Sequence, residues 1–375
     1  MSDLVKERIS QSQLFALIIF FQIGSTTLFA LGIEAKQDAW IAVFIALLAG
    51  IVLVWIFTEI QKHFPHQNLA EILISVLGKW IASPLIILYA LSFFWTASFN
   101  LYEFSEFMVS TFFFETPISA ILFLGLLLMI YSLFLGVEVI ARSGEIIFPW
   151  FLGFIIIMFL LTGISGIIKP NQLLPIMENG VMPVLKASTQ VITFPFGEMV
   201  IFLMYWCYVN NQQVIRKTSI WAVIIAGIIL ILSLILMITV LGAQLASNES
   251  ISLFKVFQKI NVGNFIQRLD AIGGAILFIG GFYKGLLYLY GSRMLIQTLF
   301  NIKAKHQKWL ITFLVICLFC YILLYFKDVD FYRWVGLQIN NKYVYPLFQI
   351  TIPIFLLVII KLKTKGKGIK KIQRM

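Results

Sequence analysis

Apolar residues fall in long blocks separated by short polar connections, and this pattern predicts ten membrane-crossing helices. The blocks are Ser12–Leu31, Trp40–Ile60, Trp80–Val109, Pro117–Val137, Ile146–Ile168, Val191–Val209, Ile220–Leu245, Ala271–Phe300, Trp309–Phe326 and Tyr345–Ile360. Each can cross about 30 Å of hydrocarbon as a helix, which satisfies its own backbone hydrogen bonds where water is absent. The third and eighth blocks are longer, which predicts tilt or projection past the membrane. Trp40, Trp80, Trp309 and Tyr345 stand at block ends, where interfacial anchors belong. Between the second and third blocks, Leu69, Ile72, Leu73 and Val76 recur at helical spacing and predict an interfacial helix.

Two blocks carry helix breakers near their middles. The first contains Gly24-Ser25-Thr26-Thr27, where glycine weakens the helix and hydroxyls can bond freed backbone groups. The sixth contains Thr193-Phe194-Pro195-Phe196-Gly197-Glu198, where Pro195 removes a ladder hydrogen bond and Gly197 permits unusual backbone angles. These interruptions open the two halves of the chain, five blocks before and five after a long connection around Lys169–Gln190. An odd number of crossings inserts the second half upside down relative to the first. Half-repeats of about 11–168 and 183–361 are therefore expected, with a small-molecule site at the paired breaks near mid-membrane.

Composition narrows the class. With 61% hydrophobic and 12% charged residues and a mean hydropathy of +0.96, residues 1–375 read as a single membrane domain with no sizeable soluble part. The polar start MSDLVKERIS predicts no cleavable signal. The net charge of +11 is concentrated in a basic tail, 361–375, which reads as a juxtamembrane segment attracted to anionic membrane lipids, with no nucleic-acid partner. With the N-terminus inside, the inner connections and tail hold about twice as many Lys and Arg as the outer ones, which predicts cytoplasmic N- and C-termini. Arg293, near the inner end of the eighth block, counts among the inner basic residues in this scheme.

Two ionisable residues fall near the middles of apolar blocks, Glu198 beside the sixth-block break and Lys284 in the eighth block. Such groups face a cavity or a partner. Lys284 can meet a ligand carboxylate or stand where a coupling cation would bind; Glu198 can meet an ammonium group, pair with Lys284 or hold unwound backbone. A purely structural Glu198–Lys284 pair, or snorkelling to an interface, is the competing reading. Tyr288, one turn beyond Lys284, shares its face. The glycines of the eighth block, including Gly280, Gly281 and Gly285, read as close helix packing. Glu103, Glu106 and Glu115 read as solvated, whereas Trp95, Thr96, Phe99 and Asn100 lie deeper, where a pocket wall or core contact is equally open. Cys317 and Cys320 read as small residues on a buried helix face. No catalytic or phosphate-binding motif occurs, so no enzyme, metal or cofactor is expected.

Several runs in order carry a family resemblance: ISQSQLFALIIFFQIGSTTLF, Asp38-Ala39-Trp40, FPHQNLAEIL, LGKWI, Glu138 with Ala141-Arg142-Ser143-Gly144-Glu145-Ile146 and Phe148-Pro149, FPFGE and QRLDAI. Over essentially its whole length the chain resembles the B-subunit of bacterial spore germinant receptors, the endospore germination permeases. The resemblance implies an all-α integral membrane protein of the amino acid–polyamine–organocation superfamily, with a LeuT-like 5+5 inverted repeat and broken helices 1 and 6. It also implies the spore inner membrane as location, a receptor A-subunit and a lipoprotein C-subunit as partners, and a small nutrient ligand that triggers germination. The implied ligand site comprises Gly24, Ser25, Thr26, Thr96, Phe194, Pro195, Phe196, Gly197, Glu198, Lys284 and Tyr288. An amino-acid secondary transporter, proton-coupled or with Lys284 replacing a sodium ion, is the alternative; an ion or water conduit is a third.

Overall fold

The computed structural model describes residues 8–24, 26–249, 251–262, 266–267 and 270–365. Ser25, parts of QRLDAI and most of the basic tail, including Lys367, Lys370, Lys371 and Arg374, lie outside the described residues. Helices account for nearly all of the rest, with one short antiparallel hairpin pairing Asn261 with Gln267. Among the described residues, nine helical stretches are long and apolar enough to cross a membrane, and α1 (Gln11–Ile23) is a shorter apolar helix. At 1.5 Å per residue its 13 residues cover about 20 Å, so it ends inside the hydrocarbon and needs the chain beyond Gly24 to finish the first crossing.

Chain direction then alternates. From the end of the first crossing, α2 (Ala39–His63) returns to the face carrying residue 8, where α3 (Leu69–Leu77) lies. The third to fifth crossings are α4 (Lys79–Thr111), α5 (Ile118–Leu135) and α6 (Val137–Ile164). The sixth is split into α7 (Val181–Val191) and the helical turns Gly197–Met204. After α8 (Ile215–Leu241), α9 (Ala243–Asn248) and α10 (Ser252–Gln258) cover the far face. α11 (Asp270–Leu299) and α12 (Gln307–Tyr325) follow. The last crossing comprises α13 (Val329–Trp334), π-helical runs Val335–Val344 and Pro346–Thr351, and α14 (Ile352–Lys365), so both described ends reach the same face.

Burial sorts these helices into a centre and a rim. The most apolar stretch of the sixth crossing is 78% buried and that of α11 72%, against 22% in α5 and α6. Leucine and phenylalanine are equally at home on lipid and on protein, so hydropathy alone cannot rank them. At the terminal face, Ser10 and Gln13 form a reciprocal capping box that starts α1. Gln13 Nε2 donates to Glu145 Oε2 of α6 at 2.9 Å, and Ser12 bonds the same carboxylate. The Ile9 amide donates to the Tyr208 carbonyl at 2.9 Å, which ties the start of the first crossing to the end of the sixth.

The structure corrects several boundaries. The connection expected at Lys169–Gln190 contains α7, whose one buried face (Val184, Ala187, Ser188, Val191) and exposed Lys186 dilute its hydropathy. The fifth crossing begins at Val137 rather than Ile146, because Glu138 and Arg142 neutralise each other along the helix at 2.5 Å. Tyr345, expected as an interfacial anchor, is only 7% exposed, since the last crossing starts at Val329. α3 buries its apolar face on the protein, not on lipid. Cys320 is exposed, on the lipid-facing side of α12 rather than a buried one.

Candidate functional site

α1 stops where its carbon skeleton becomes smallest. A Cβ on Gly24 would meet the Gly280 carbonyl oxygen of α11 at 2.8 Å, and a Cβ on Gly280 would meet Gly24 Cα at 2.6 Å. Two backbones therefore touch at the first break, and that contact admits only glycine on both sides. Beyond it, Thr26 starts a single 3-10 turn and is fully buried, with a hydroxyl that has no hydrogen-bond partner in the protein. Gln22, two residues before the break, donates Nε2 to the Pro195 carbonyl at 3.1 Å. This bond joins the two interrupted crossings and occupies a carbonyl released from the sixth.

The second break has a different build. Phe194 is extended (φ −128°, ψ 107°) within an otherwise helical segment, and Pro195 has no N–H to restore the ladder. Phe196 turns away from the break and presses on Gly50 of α2, where a Cβ would approach its ring to 2.8 Å. Gly197 lies under Gln349 of the last crossing, where an added Cβ would come within 2.6 Å of Gln349 Oε1 and displace that side chain.

Glu198 opens the second half of the sixth crossing. Its Oε2 pairs with Lys284 Nζ of α11 at 2.6 Å, and its Oε1 accepts from Tyr288 Oη at 2.8 Å. Lys284 and Glu198 are both 0% exposed. Lys284 Nζ also faces the Phe194 ring, 4.2 Å from its centroid, with the Phe21 ring at 5.4 Å. The two expected intramembrane charges thus neutralise each other, with two aromatic faces completing the cation's surroundings. Removing either partner would strand a charge in low dielectric.

Directly beyond Phe194, towards the face opposite the described ends, lies a cavity of about 360 Å³. It is within the size range of small-molecule sites. Phe29 and Glu34 from the end of the first crossing, Phe99, Asn100 and Glu103 of α4, Gln190 and Phe194 at the break, and Tyr332 and Tyr345 of the last crossing line it. Phe194 is therefore a partition, with the cavity on one side and the Lys284–Glu198–Tyr288 cluster on the other. Of the described residues in the ligand site implied by the resemblance, Phe194 alone lines this cavity; Phe99 and Asn100, left open from sequence between pocket wall and core, line it as well. Thr96 sits one turn below Asn100, bonded to the Ser92 carbonyl at 2.9 Å and close to the Tyr345 hydroxyl. Gly24, Pro195, Phe196 and Gly197 shape the breaks, and Glu198, Lys284 and Tyr288 lie behind the partition.

Sequence reasoning missed Glu103, read as solvated, together with Tyr332 and Tyr345. Arg293, counted from sequence with the cytoplasmic basic residues, lies instead in the buried part of the bundle. Arg293 is 3% exposed within α11; its Nη1 donates to Gln297 Oε1 at 3.0 Å and its guanidinium lies 4.2 Å from the Tyr290 ring centre. The signal for Arg293 was available: it lies three residues before the last turn of a helix whose i+4 neighbour is Gln297.

A ten-crossing bundle with two interrupted, tethered helices beside a closed charge cluster is the build of the LeuT-type fold. The comparisons agree: over 92% of its length the chain superposes on Mhp1, a nucleobase-cation-symport-1 family transporter solved with bromovinylhydantoin bound, covering 77% of that chain (TM-score 0.63, 13% identity). It likewise superposes on MhsT in complex with L-phenylalanine, over 95% of this chain and 99% of that one (TM-score 0.60, 12% identity). Residues 8–331 match the family model of spore germination proteins, and the chain belongs to that family. It is 32% identical to spore germination protein KB of Bacillus subtilis, over 98% of this chain and all of the relative. Spore germination protein XB of Bacillus anthracis is 26% identical over 84% of this chain and 90% of its own.

Proposed function

We propose that the chain is the nutrient-recognition subunit of a spore germinant receptor. In this reading a small molecule enters the cavity beyond Phe194, and its occupancy shifts the broken first and sixth crossings against α4 and α11 to trigger germination. The observation that carries the proposal is the partition. One aromatic side chain at the only extended residue of the sixth-crossing break separates a ligand-sized cavity from a neutralised charge cluster, so displacing it couples occupancy to that cluster. The reading takes 11–168 and 183–361 as inverted half-repeats, since each opens on a broken crossing. It places the termini in the cytoplasm, the protein in the spore inner membrane, and a receptor A-subunit and lipoprotein C-subunit beside it.

Deleting the gene should abolish germination with at least one nutrient, and wild-type but not F194A copies should restore it. An unchanged response to every nutrient would sink the receptor reading. A second reading, amino-acid secondary transport, is favoured by the transporter neighbours of the fold. Saturable uptake of labelled amino acid by the chain alone in proteoliposomes would support it.

A further inference from the structure

At the terminal face, where α2 and α14 end and α8 begins, one tryptophan meets two cations. Arg216 of α8 and Lys361 of α14 each lie 5.5 Å from the Trp55 ring centre of α2. Both helices pack on α2, so the cluster joins segments far apart in the chain. Arg216 is anchored by Glu59, which pairs with its Nη2, and by Thr58 Oγ1, which accepts from its Nε at 3.0 Å. These contacts leave Nη1 for a ligand oxygen. Lys361 has no carboxylate partner among the described residues. Lys62, one turn beyond Glu59, and Lys217, beside Arg216, are exposed and add to an excess of positive charge.

From this cluster α2 keeps an apolar strip open towards mid-membrane. Phe44, Leu48, Val52 and Trp55 are all exposed, and their spacing of four, four and three residues puts them on one helix face. The rise from Phe44 to Trp55 is about 16 Å, close to the hydrocarbon of one leaflet at about 15 Å. We propose that cluster and strip hold one anionic phospholipid of the leaflet at the terminal face. Its phosphate sits between Arg216 and Lys361, and an acyl chain lies along α2. The phosphate supplies the counter-charge for Lys361, and Trp55 keeps both cations at headgroup level. Diffuse interfacial charge would need neither a fixed tryptophan nor an apolar strip leading from it. The inference is independent of the cavity beyond Phe194 and of its ligand.

The test uses the full chain in detergent micelles and native mass spectrometry with equimolar dioleoylphosphatidylglycerol and dioleoylphosphatidylcholine. The first phosphatidylglycerol should bind about fivefold tighter or more, and Lys361→Gln should weaken it about fivefold, the factor for one base near an anionic surface. Lys361→Arg, which keeps the charge, should bind as wild type. Lys79→Gln, which removes a base at the start of α4 on the same face, should change nothing. Excess glycerol 3-phosphate should not displace the lipid, because it carries no acyl chain for the strip. Equal affinity for the two lipids, as expected of a strip that receives a second helix, overturns the proposal. So does an equal loss in K79Q and K361Q, the mark of diffuse charge, or an equal loss in K361R and K361Q. Displacement by glycerol 3-phosphate overturns it too, since the anion alone would then be the ligand.

Discussion

The two broken crossings look equivalent on paper and serve opposite ends. At the first, the chain breaks so that backbones can meet: Gly24 and Gly280 touch with no space for a side chain on either. At the sixth, the chain breaks so that a side chain can be held out of the helical frame, and the extended Phe194 forms a wall of the cavity. The first break removes volume from the centre of the bundle, and the sixth distributes volume around it. A helix interruption is therefore not in itself a binding feature. What matters is whether the freed backbone is covered by another backbone or by a movable side chain.

The largest effect should come from the cluster behind the sixth break. Lys284→Ala leaves Glu198 buried without its counter-charge and should cost about 3–5 kcal/mol. Pairing it with Glu198→Gln should recover much of that loss, as read by the thermal midpoint in nanodiscs. A single variant as stable as wild type would show that the pair is not the electrostatic unit described. Next comes Gly24→Ala, which drives a methyl group into the Gly280 carbonyl and should destabilise by about 1–3 kcal/mol, as overpacking does. If Gly24→Ala instead alters ligand affinity at unchanged stability, the first break is a ligand surface and the contrast between the breaks collapses.

Phe194→Ala should do the reverse. Its ring is only partly buried, so the stability loss should stay below about 2 kcal/mol, while ligand binding or the nutrient response should fall severely. The smallest effect should be Arg216→Ala. Arg216 pairs with Glu59 at the terminal face with both side chains partly exposed, and its loss should cost about 1 kcal/mol or less. The gap between Arg216 and Lys284, measured side by side, sharpens the comparison: the same kind of charge pair matters in proportion to the water it has lost.

Much of the molecule was legible without coordinates. Block lengths specified the crossings because hydrocarbon thickness sets helix length, and Gly24 and Pro195 announced the breaks because each disables a backbone ladder locally. The Lys284–Glu198 pair was also within reach, since two charges inside apolar blocks have few ways to persist. The resemblance to germination permeases pointed to the correct family and fold. Other features depended on partners distant in the chain. α7 escaped because one exposed face and Lys186 lower its hydropathy, although its other face is core. Tyr345 reads as an anchor because it begins an apolar block, after the polar Asn340, Asn341 and Lys342. In the folded chain Asn340 is enclosed, accepts from Trp95 Nε1 at 3.1 Å, and continues the helix.

Local chemistry along the chain thus determined that this protein is a bundle of membrane helices with two interruptions and two opposed charges within it. Only the tertiary structure decided that the first interruption is closed by Gly280, that the charges face each other behind Phe194, and that the cavity belongs to Asn100, Glu103 and Tyr345. The physical reason is that hydrophobicity and backbone propensity act over one or two turns, whereas a cavity is the space left between helices far apart in sequence. Its walls are set by which side chains those helices turn toward one another.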